Sequence, residues 1–482
     1  MAVLQLEKTE CVYNGKAVIS GGCITADEGE LVLVCGRTGS GKSTLLKHIC
    51  DCLGKSAALV MQNPDSQIVC NKVYEELSMA PSGLGMDERD VRRRVAETAG
   101  YFGLSSIIDR DTATLSGGEK QLVNIAAVMT AAPQILLLDE PASMLDPIMA
   151  EKVIDNILKL RRELGITVII AEHRPDLLWP EADSIVLVDD GKVIQESPEN
   201  MIKIMSDRKE LYELMPSYSR MLPVSITGMP VMTLAQARHR ASGICHGSIK
   251  APDRKNKTET FLEFRNVTFA YEKNGRKILN DMNLKVGKGR IAALLGENGS
   301  GKTTAARIAA GILRPYSGSV YVDGKKVKGV CECAGMLFQD VTCHFIEDEC
   351  SGKFAGKHPY DLSGGQMQLA AFDIVLSGKP ELLILDEPAK GLDRYEKEIL
   401  RRKLVRLAED GVTILMVTHD VDFAAETADV MALLFDGDVS VCSDTDKFVR
   451  DSMFYTTTAL KIWGRESGIF TEKQAREIIG IQ

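Results

Sequence analysis

The sequence predicts an α/β protein made of two copies of one domain, each with a mostly parallel β-sheet at its core. Three observations carry this. First, the same motifs occur twice, in the same order, along the 482 residues. GRTGSGKST at 36–44 returns as GENGSGKTT at 296–304, and LSGGE at 115–119 as LSGGQ at 362–366. ILLLDEP at 135–141 returns as LLILDEP at 382–388, and IIAEH at 169–173 as LMVTH at 415–419. Lys42 and Lys302 stand 260 residues apart, a spacing that duplication of a domain explains and chance does not. Second, ELVLVCG, RIAALLG, TVIIAEH and TILMVTH are short apolar runs, which read as buried strands. Third, helical patterns separate these runs, as the crossovers of a parallel sheet require.

Copy one spans 1–243 and copy two 260–482. Between them, at 244–259, HGSIKAPDRKNKTE is polar and charged without apolar periodicity, so it reads as a linker. Each copy closes on a similar tail. PSYSRMLPVSITGMPVMTLAQARHRA ends the first and TTTALKIWGRESGIFTEKQAREIIG the second, each a short helix, a turn and an amphipathic helix.

Composition narrows the function classes. Apolar residues make up 45% and charged residues 26%, enough to bury a core. A net charge of −9 gives no electrostatic reason to expect nucleic acid. The start, MAVLQLEKTE, shows no secretory signal. No apolar run approaches the ~18 residues that span a bilayer, so a membrane role would come through a partner. Twelve cysteines in a chain this long fit reduced thiols better than a disulfide framework. Cys331, Cys333, Cys343, His344 and Cys350 cluster in sequence; unpaired thiols and a metal site are both open, though the spacing matches no zinc pattern.

The glycine-rich segments carry phosphate chemistry. Gly36, Gly39 and Gly41 before Lys42, Ser43 and Thr44 fit a phosphate loop between a strand and a helix. The glycines let backbone N–H groups turn onto phosphates, and the helix N-terminus adds positive potential. Lys42 supplies a point charge, and the Ser43 hydroxyl is placed for Mg²⁺. Gly296, Gly299, Gly301, Lys302, Thr303 and Thr304 repeat the arrangement. Asp139 and Asp386 end buried strands, placed to hold Mg²⁺; Glu140 and Glu387 follow, where a carboxylate can polarise water. Ser116, Gly117 and Gly118, with Ser363, Gly364 and Gly365, start helices and form a second anion-binding device.

Together these motifs resemble the ABC ATPase family over nearly the whole chain. The resemblance adds a glutamine that can sense Mg²⁺ (Gln62, Gln339), a D-loop (SMLD at 143–146, KGLD at 390–393) and a switch histidine (His173, His419). It places Tyr13 and Tyr271 where an aromatic stacks on adenine, although core packing would explain Tyr13 as well, and Tyr271 less so. It implies ATP hydrolysis with Mg²⁺, with Glu140, His173, Glu387 and His419 catalytic. It also implies head-to-tail pairing, Lys42 facing the Ser363 signature and Lys302 the Ser116 signature. Leu122 and Leu369 depart from the usual Arg after the signature, and Met144 from the usual small D-loop residue.

Within the family, QNPDSQIV at 62–69 and the two-helix tails are similar to energy-coupling factor ATPases, which drive vitamin and transition-metal import. Asn-Pro-Asp would also favour a capped turn in its own right. The subgroup implies polytopic membrane partners, a coupling protein and a substrate-binding component, and a peripheral place on the cytoplasmic face of the membrane. The other readings are the ATPase of a different ABC importer or exporter, and a soluble tandem ABC protein acting on ribosomes or nucleic acid. The copies are unequal. Copy two carries an extra hairpin pattern, LRPYSGSVYVDGKKV. Between glutamine and signature, copy one has a full helical arm that includes DERDVRRRVAETAGYFGL, while copy two has about half that length.

Overall fold

A computed structural model describes residues 2–480 apart from 8, 14–15, 144, 146, 173–174, 209, 245–258, 273–274, 346–355, 357, 360–361 and 363, and apart from the side chains of 13, 16, 17 and 147. The chain forms two compact units, Met1–Thr233 and Leu234–Gln482.

The first unit opens with β1 (Ala2–Leu6), β2 (Glu10–Tyr13), β3 (Lys16–Ser20), β4 (Ile24–Asp27) and β5 (Leu31–Cys35), followed by α1 (Lys42–Leu53) and β6 (Ala57–Val60). Next come the arm helices α2 (Val73–Gly83) and α3 (Glu88–Phe102), then α4 (Gly117–Met129), β7 (Ile135–Asp139), α5 (Pro147–Leu164) and β8 (Thr167–Ala171). β9 (Ser184–Asp189), β10 (Lys192–Glu196) and α6 (Pro198–Ser206) lead to the tail helices α7 (Ser217–Met221) and α8 (Val224–Thr227). Its main sheet runs β10-β9-β5-β8-β7-β6, parallel except for the β9–β10 pair. β1 pairs with β4 and β2 with β3, both antiparallel.

The second unit begins with α9 (Leu234–Ala241), β11 (Thr260–Phe269), β12 (Leu279–Gly287) and β13 (Ile291–Leu295), followed by α10 (Lys302–Ala309), β14 (Ser317–Val322), β15 (Lys325–Lys326) and β16 (Ala334–Leu337). After α11 (Gly364–Ser377) come β17 (Leu382–Asp386), α12 (Arg394–Glu409), β18 (Thr413–Val417) and α13 (Val421–Thr427). β19 (Val430–Phe435), β20 (Asp438–Asp444) and α14 (Thr445–Asp451) precede the tail helices α15 (Thr458–Trp463) and α16 (Glu472–Ile478). Its main sheet, β16-β17-β18-β13-β19-β20, has the connectivity of the first, strand for strand. The expected extra hairpin is β14–β15, and it extends an antiparallel sheet ordered β12-β11-β14-β15.

Both cores follow from the apolar runs. All five residues of β5, β7, β8, β13, β17 and β18 are buried, because helices cover both faces of a parallel sheet. α1 buries Leu45, Leu46 and Ile49 after Lys42, a one-sided helical spacing that seats it on the sheet. The contact boundary falls at 233/234 rather than in the expected linker, of which 245–258 lies outside the described residues. The reason is α9: it packs on α15, and Arg238 Nε donates to the Lys461 carbonyl at 2.9 Å. Among the described residues no helix is long and apolar enough to cross a membrane.

Candidate functional site

The phosphate-loop residues of each unit lie between strand and helix, β5–α1 and β13–α10. Gly41 and Gly301 cap the helices in left-handed backbone, φ 106° and 105°. A Cβ at Gly41 would come 2.6 Å from Val18 Cγ1, and one at Gly301 2.8 Å from the Ile278 carbonyl, so only glycine fits. Lys42 is 5% exposed, and its Nζ donates to the carbonyls of Gly36 (3.0 Å) and Arg37 (3.2 Å). Lys302 does the same with Gly296 (2.7 Å) and Glu297 (2.8 Å). Both lysines therefore fold back over a turn of main chain that can cradle an anion.

Asp139 and Asp386 are buried where their strands end, and in each Oδ1 has no hydrogen-bond partner among the described residues. Burial pushes both carboxyls above the ordinary range; the adjacent Glu140 or Glu387 adds to this, while hydrogen bonds from Ser43 and Thr303 oppose it. A hydroxyl paired with a buried carboxylate oxygen that lacks a donor is a hard oxygen set, and it fits Mg²⁺.

Glu140 and Glu387 have left-handed backbone, φ 48° and 54°. For a residue with a Cβ this costs on the order of 1–3 kcal/mol. The conformation is held because each amide donates 2.9 Å to the last residue of the next strand, Ala171 or Val417. Their side chains meet different partners. Gln62 Nε2 donates to Glu140 Oε2 (2.8 Å) and to Ser143 Oγ (3.4 Å). Glu387 Oε1 lies 2.9 Å from His419 Nδ1, and Thr418 Oγ1 is 3.5 Å from Oε2. Gln62 Nε2 thus serves the carboxylate, while a metal would take its amide oxygen, and Gln339 is exposed. His173 and Ser363 lie outside the described residues.

Ser116 caps α4: its Oγ accepts from Glu119 N (3.3 Å) and Glu119 Oε2 accepts from Ser116 N (2.8 Å). Gly117 and Gly364 begin α4 and α11. Gly118 packs on Met149 of α5, and Gly365 packs on the Glu396 carboxylate of α12, so the second signature glycine leaves room for a neighbouring helix. The Tyr271 hydroxyl is 3.2 Å from Thr304 Oγ1, and its ring, 60% exposed, meets Phe269 edge-on. It is a free face beside the phosphate loop, not a core residue. The Tyr13 side chain is outside the described set.

Three groups escaped sequence reasoning. Glu76 of α2 is buried, and its Oε2 accepts from Val69 N (3.0 Å) and Cys70 N (2.8 Å), which ties the glutamine segment to the arm. Lys390 replaces Ser143 in the second D-loop; burial pushes its ammonium down, against the pull of Glu387, Asp386 and Asp340. The mismatch of SMLD with KGLD was the available signal. Third, Gln67 faces inward. Its Oε1 accepts from Met61 N (2.9 Å) and Asn124 Nδ2 (3.1 Å), and its Nε2 donates to the Leu59 carbonyl (2.9 Å). Of the cysteine cluster, Cys350 lies outside the described residues. Cys331 and Cys333 are 3.4 Å apart, while His344 stacks on Phe338, and among the described residues no group of three such ligands gathers.

The "ABC transporter" family model matches residues 23–143 and 279–349. A Bacillus anthracis protein named as an ABC transporter ATP-binding protein is 31% identical over 90% of this chain and 90% of its own length. One of the same name from Streptomyces avermitilis is 30% identical over 99% of this chain and all of its own length. A solved archaeal ribosome recycling factor has the same fold, with a TM-score of 0.60 at 19% identity over 92% of this chain and 91% of that one. The chain belongs to the ABC transporter ATP-binding proteins, and it is an ATPase with two ATP-binding cassette domains in tandem.

Proposed function

We propose that this ATPase energises membrane import of a small solute, a vitamin or a transition-metal ion, as the energy-coupling subunit of an importer. The observation that carries the reading is the arm of the first domain. Val69, Tyr74, Met79 and Leu84 expose apolar side chains along α2 and the segment leading into it. Glu76 ties that segment to α2, and Gln62, a few residues upstream, bonds Glu140. An apolar surface joined through so short a path to a nucleotide site suits a membrane-protein partner that must feel hydrolysis. The names of the relatives favour transport as well.

In this reading Glu140 and Glu387 orient water, Lys42 and Lys302 hold phosphates, and Tyr271 offers its ring to adenine. Mg²⁺, held by Ser43 with Asp139 and by Thr303 with Asp386, would neutralise phosphate charge. The test is purification of the tagged chain from its own cells in mild detergent. A polytopic membrane protein should co-purify and stimulate ATP hydrolysis. Sedimentation with ribosomes instead, with no membrane partner, would overturn the reading.

A further inference from the structure

The two D-loops are held by different hooks. In the first domain Ala142 N donates to Glu172 Oε1 at 3.0 Å. Glu172 is 5% exposed and directly follows β8. The next D-loop residue, Ser143, donates from its Oγ to the Glu140 carbonyl (3.0 Å) and accepts from Gln62 Nε2 (3.4 Å). In the second domain Thr418 stands at the place of Glu172. It bonds Glu387 and accepts from Asp420 N (3.1 Å). The D-loop there is held from the signature helix, where Gln368 Nε2 donates to the Pro388 carbonyl at 3.1 Å. Gln121, the counterpart of Gln368, is 2% exposed, and among the described residues neither its Nε2 nor its Oε1 has a hydrogen-bond partner.

A buried carboxylate is costly, and it persists where strong hydrogen bonds offset the burial. The Glu172 amide donates to the Val34 carbonyl (3.4 Å), so the residue stands beside β5, the strand that runs into the phosphate loop. We propose that Glu172 is a positioning residue for ATP hydrolysis in the first domain. Its carboxylate fixes the D-loop main chain at Ala142, and through it Ser143 and Glu140, a task that falls to Gln368 in the second domain. The inference rests on Glu140 being the group that orients water.

Two measurements on the full chain test it. Hydrogen exchange of the 142–145 amides should show faster exchange in Glu172→Thr, the residue of the second domain, and wild-type exchange in Glu172→Gln, whose amide oxygen still accepts. ATP turnover is then read in a Glu387→Gln background, to isolate the first domain. Glu172→Thr should lower kcat about ten- to hundredfold with KM unchanged, and Glu172→Gln should restore most of it. Unchanged exchange in Glu172→Thr, or equal loss in Thr and Gln variants, overturns the proposal. A background with no turnover at all would count against Glu140 acting in its own right, and the exchange result would still decide the role of Glu172.

Discussion

His419 Nδ1 lies 2.9 Å from Glu387 Oε1, whereas the matching carboxylate, Glu140, is met by Gln62 Nε2 at 2.8 Å. Among the described residues, Glu140 is thus met by the glutamine of its own domain and Glu387 by the histidine of its own. In the second, the hold comes from the end of β18; in the first, from the segment after β6 that leads into the arm. Glu140 should therefore feel the arm through Gln62, and Glu387 should feel His419.

Each glutamate should be needed for hydrolysis in its own domain. Glu140→Gln and Glu387→Gln keep the size and the left-handed turn but lose the negative charge that orients water. Each should leave ATP binding intact, and the double variant should lower kcat by about a hundredfold or more. Nucleotide binding and steady-state ATPase rates check this. Full activity in Glu387→Gln would make the second domain regulatory.

The unequal partners predict unequal sensitivity. In a Glu140→Gln background, where the second domain is read, His419→Ala should lower turnover about tenfold or more and Gln339→Ala far less, since Gln339 is exposed. In a Glu387→Gln background, Gln62→Ala should lower it by a similar factor, because Glu140 loses the hydrogen bond that Gln62 Nε2 donates. Equal effects of Gln62→Ala and Gln339→Ala in their respective backgrounds would refute the distinction.

The tail of the second domain predicts a pH effect on stability. Glu426 of α13 and Glu472 of α16 share the Arg394 guanidinium, at 3.6 and 3.0 Å. Burial first, then Glu472 and Asp422, push the Glu426 carboxyl up to about 7, against Arg394 and Arg401. Unfolded, the group titrates near its ordinary 4.5. Between those values the folded chain keeps a proton that unfolding releases, so stability falls as pH rises through this window, and the loss is complete above about 7. Glu426→Gln should match the wild-type Tm near pH 5 and exceed it at pH 8. Parallel Tm-against-pH curves for the two proteins would exclude it.

Much of this was legible in the sequence, because motif order and unbroken apolar runs are local features. Two phosphate loops, two Asp-Glu strand ends and the extra hairpin β14–β15 could be read directly. The hooks could not. Glu172 looked like one residue of a strand end, and its bond to Ala142 crosses 30 residues of chain. Gln368 and Gln121 are the same residue in matching motifs, yet among the described residues only the first finds a partner. Hydrogen bonding of that kind depends on sub-ångström placement, which no pattern encodes. The inward turn of Gln67 was hidden for a related reason: Asn, Pro and Asp announce a turn, but not which way its last side chain points.

Gln67 and His344 occupy matching places, and both fasten the residue that precedes the site glutamine. Gln67 Oε1 accepts from Met61 N at 2.9 Å, and His344 Nε2 accepts from Phe338 N at 3.1 Å. Burial pushes the His344 imidazole down, against Asp340, which favours the neutral ring that this acceptor role needs. Asp65 differs: it is 64% exposed and pairs with Lys120 of the signature helix at the surface. The neighbouring polar residues of the 62–67 segment should therefore separate into two kinds. Gln67→Ala leaves Met61 N and the Leu59 carbonyl without their partner, which should cost about 1–3 kcal/mol. Gln67→His should recover part of this, since histidine performs the same task in the second domain. Asp65→Ala removes only an exposed pair, which should cost less than about 1 kcal/mol. If the segment also transmits hydrolysis to a membrane partner, Asp65→Ala should lower substrate uptake while the purified chain keeps its ATPase rate and Tm. The checks are Tm, ATPase rate and uptake at equal expression for each single variant. A stable Gln67→Ala protein would refute the fastening role, and full uptake with Asp65→Ala would remove Asp65 from the coupling path.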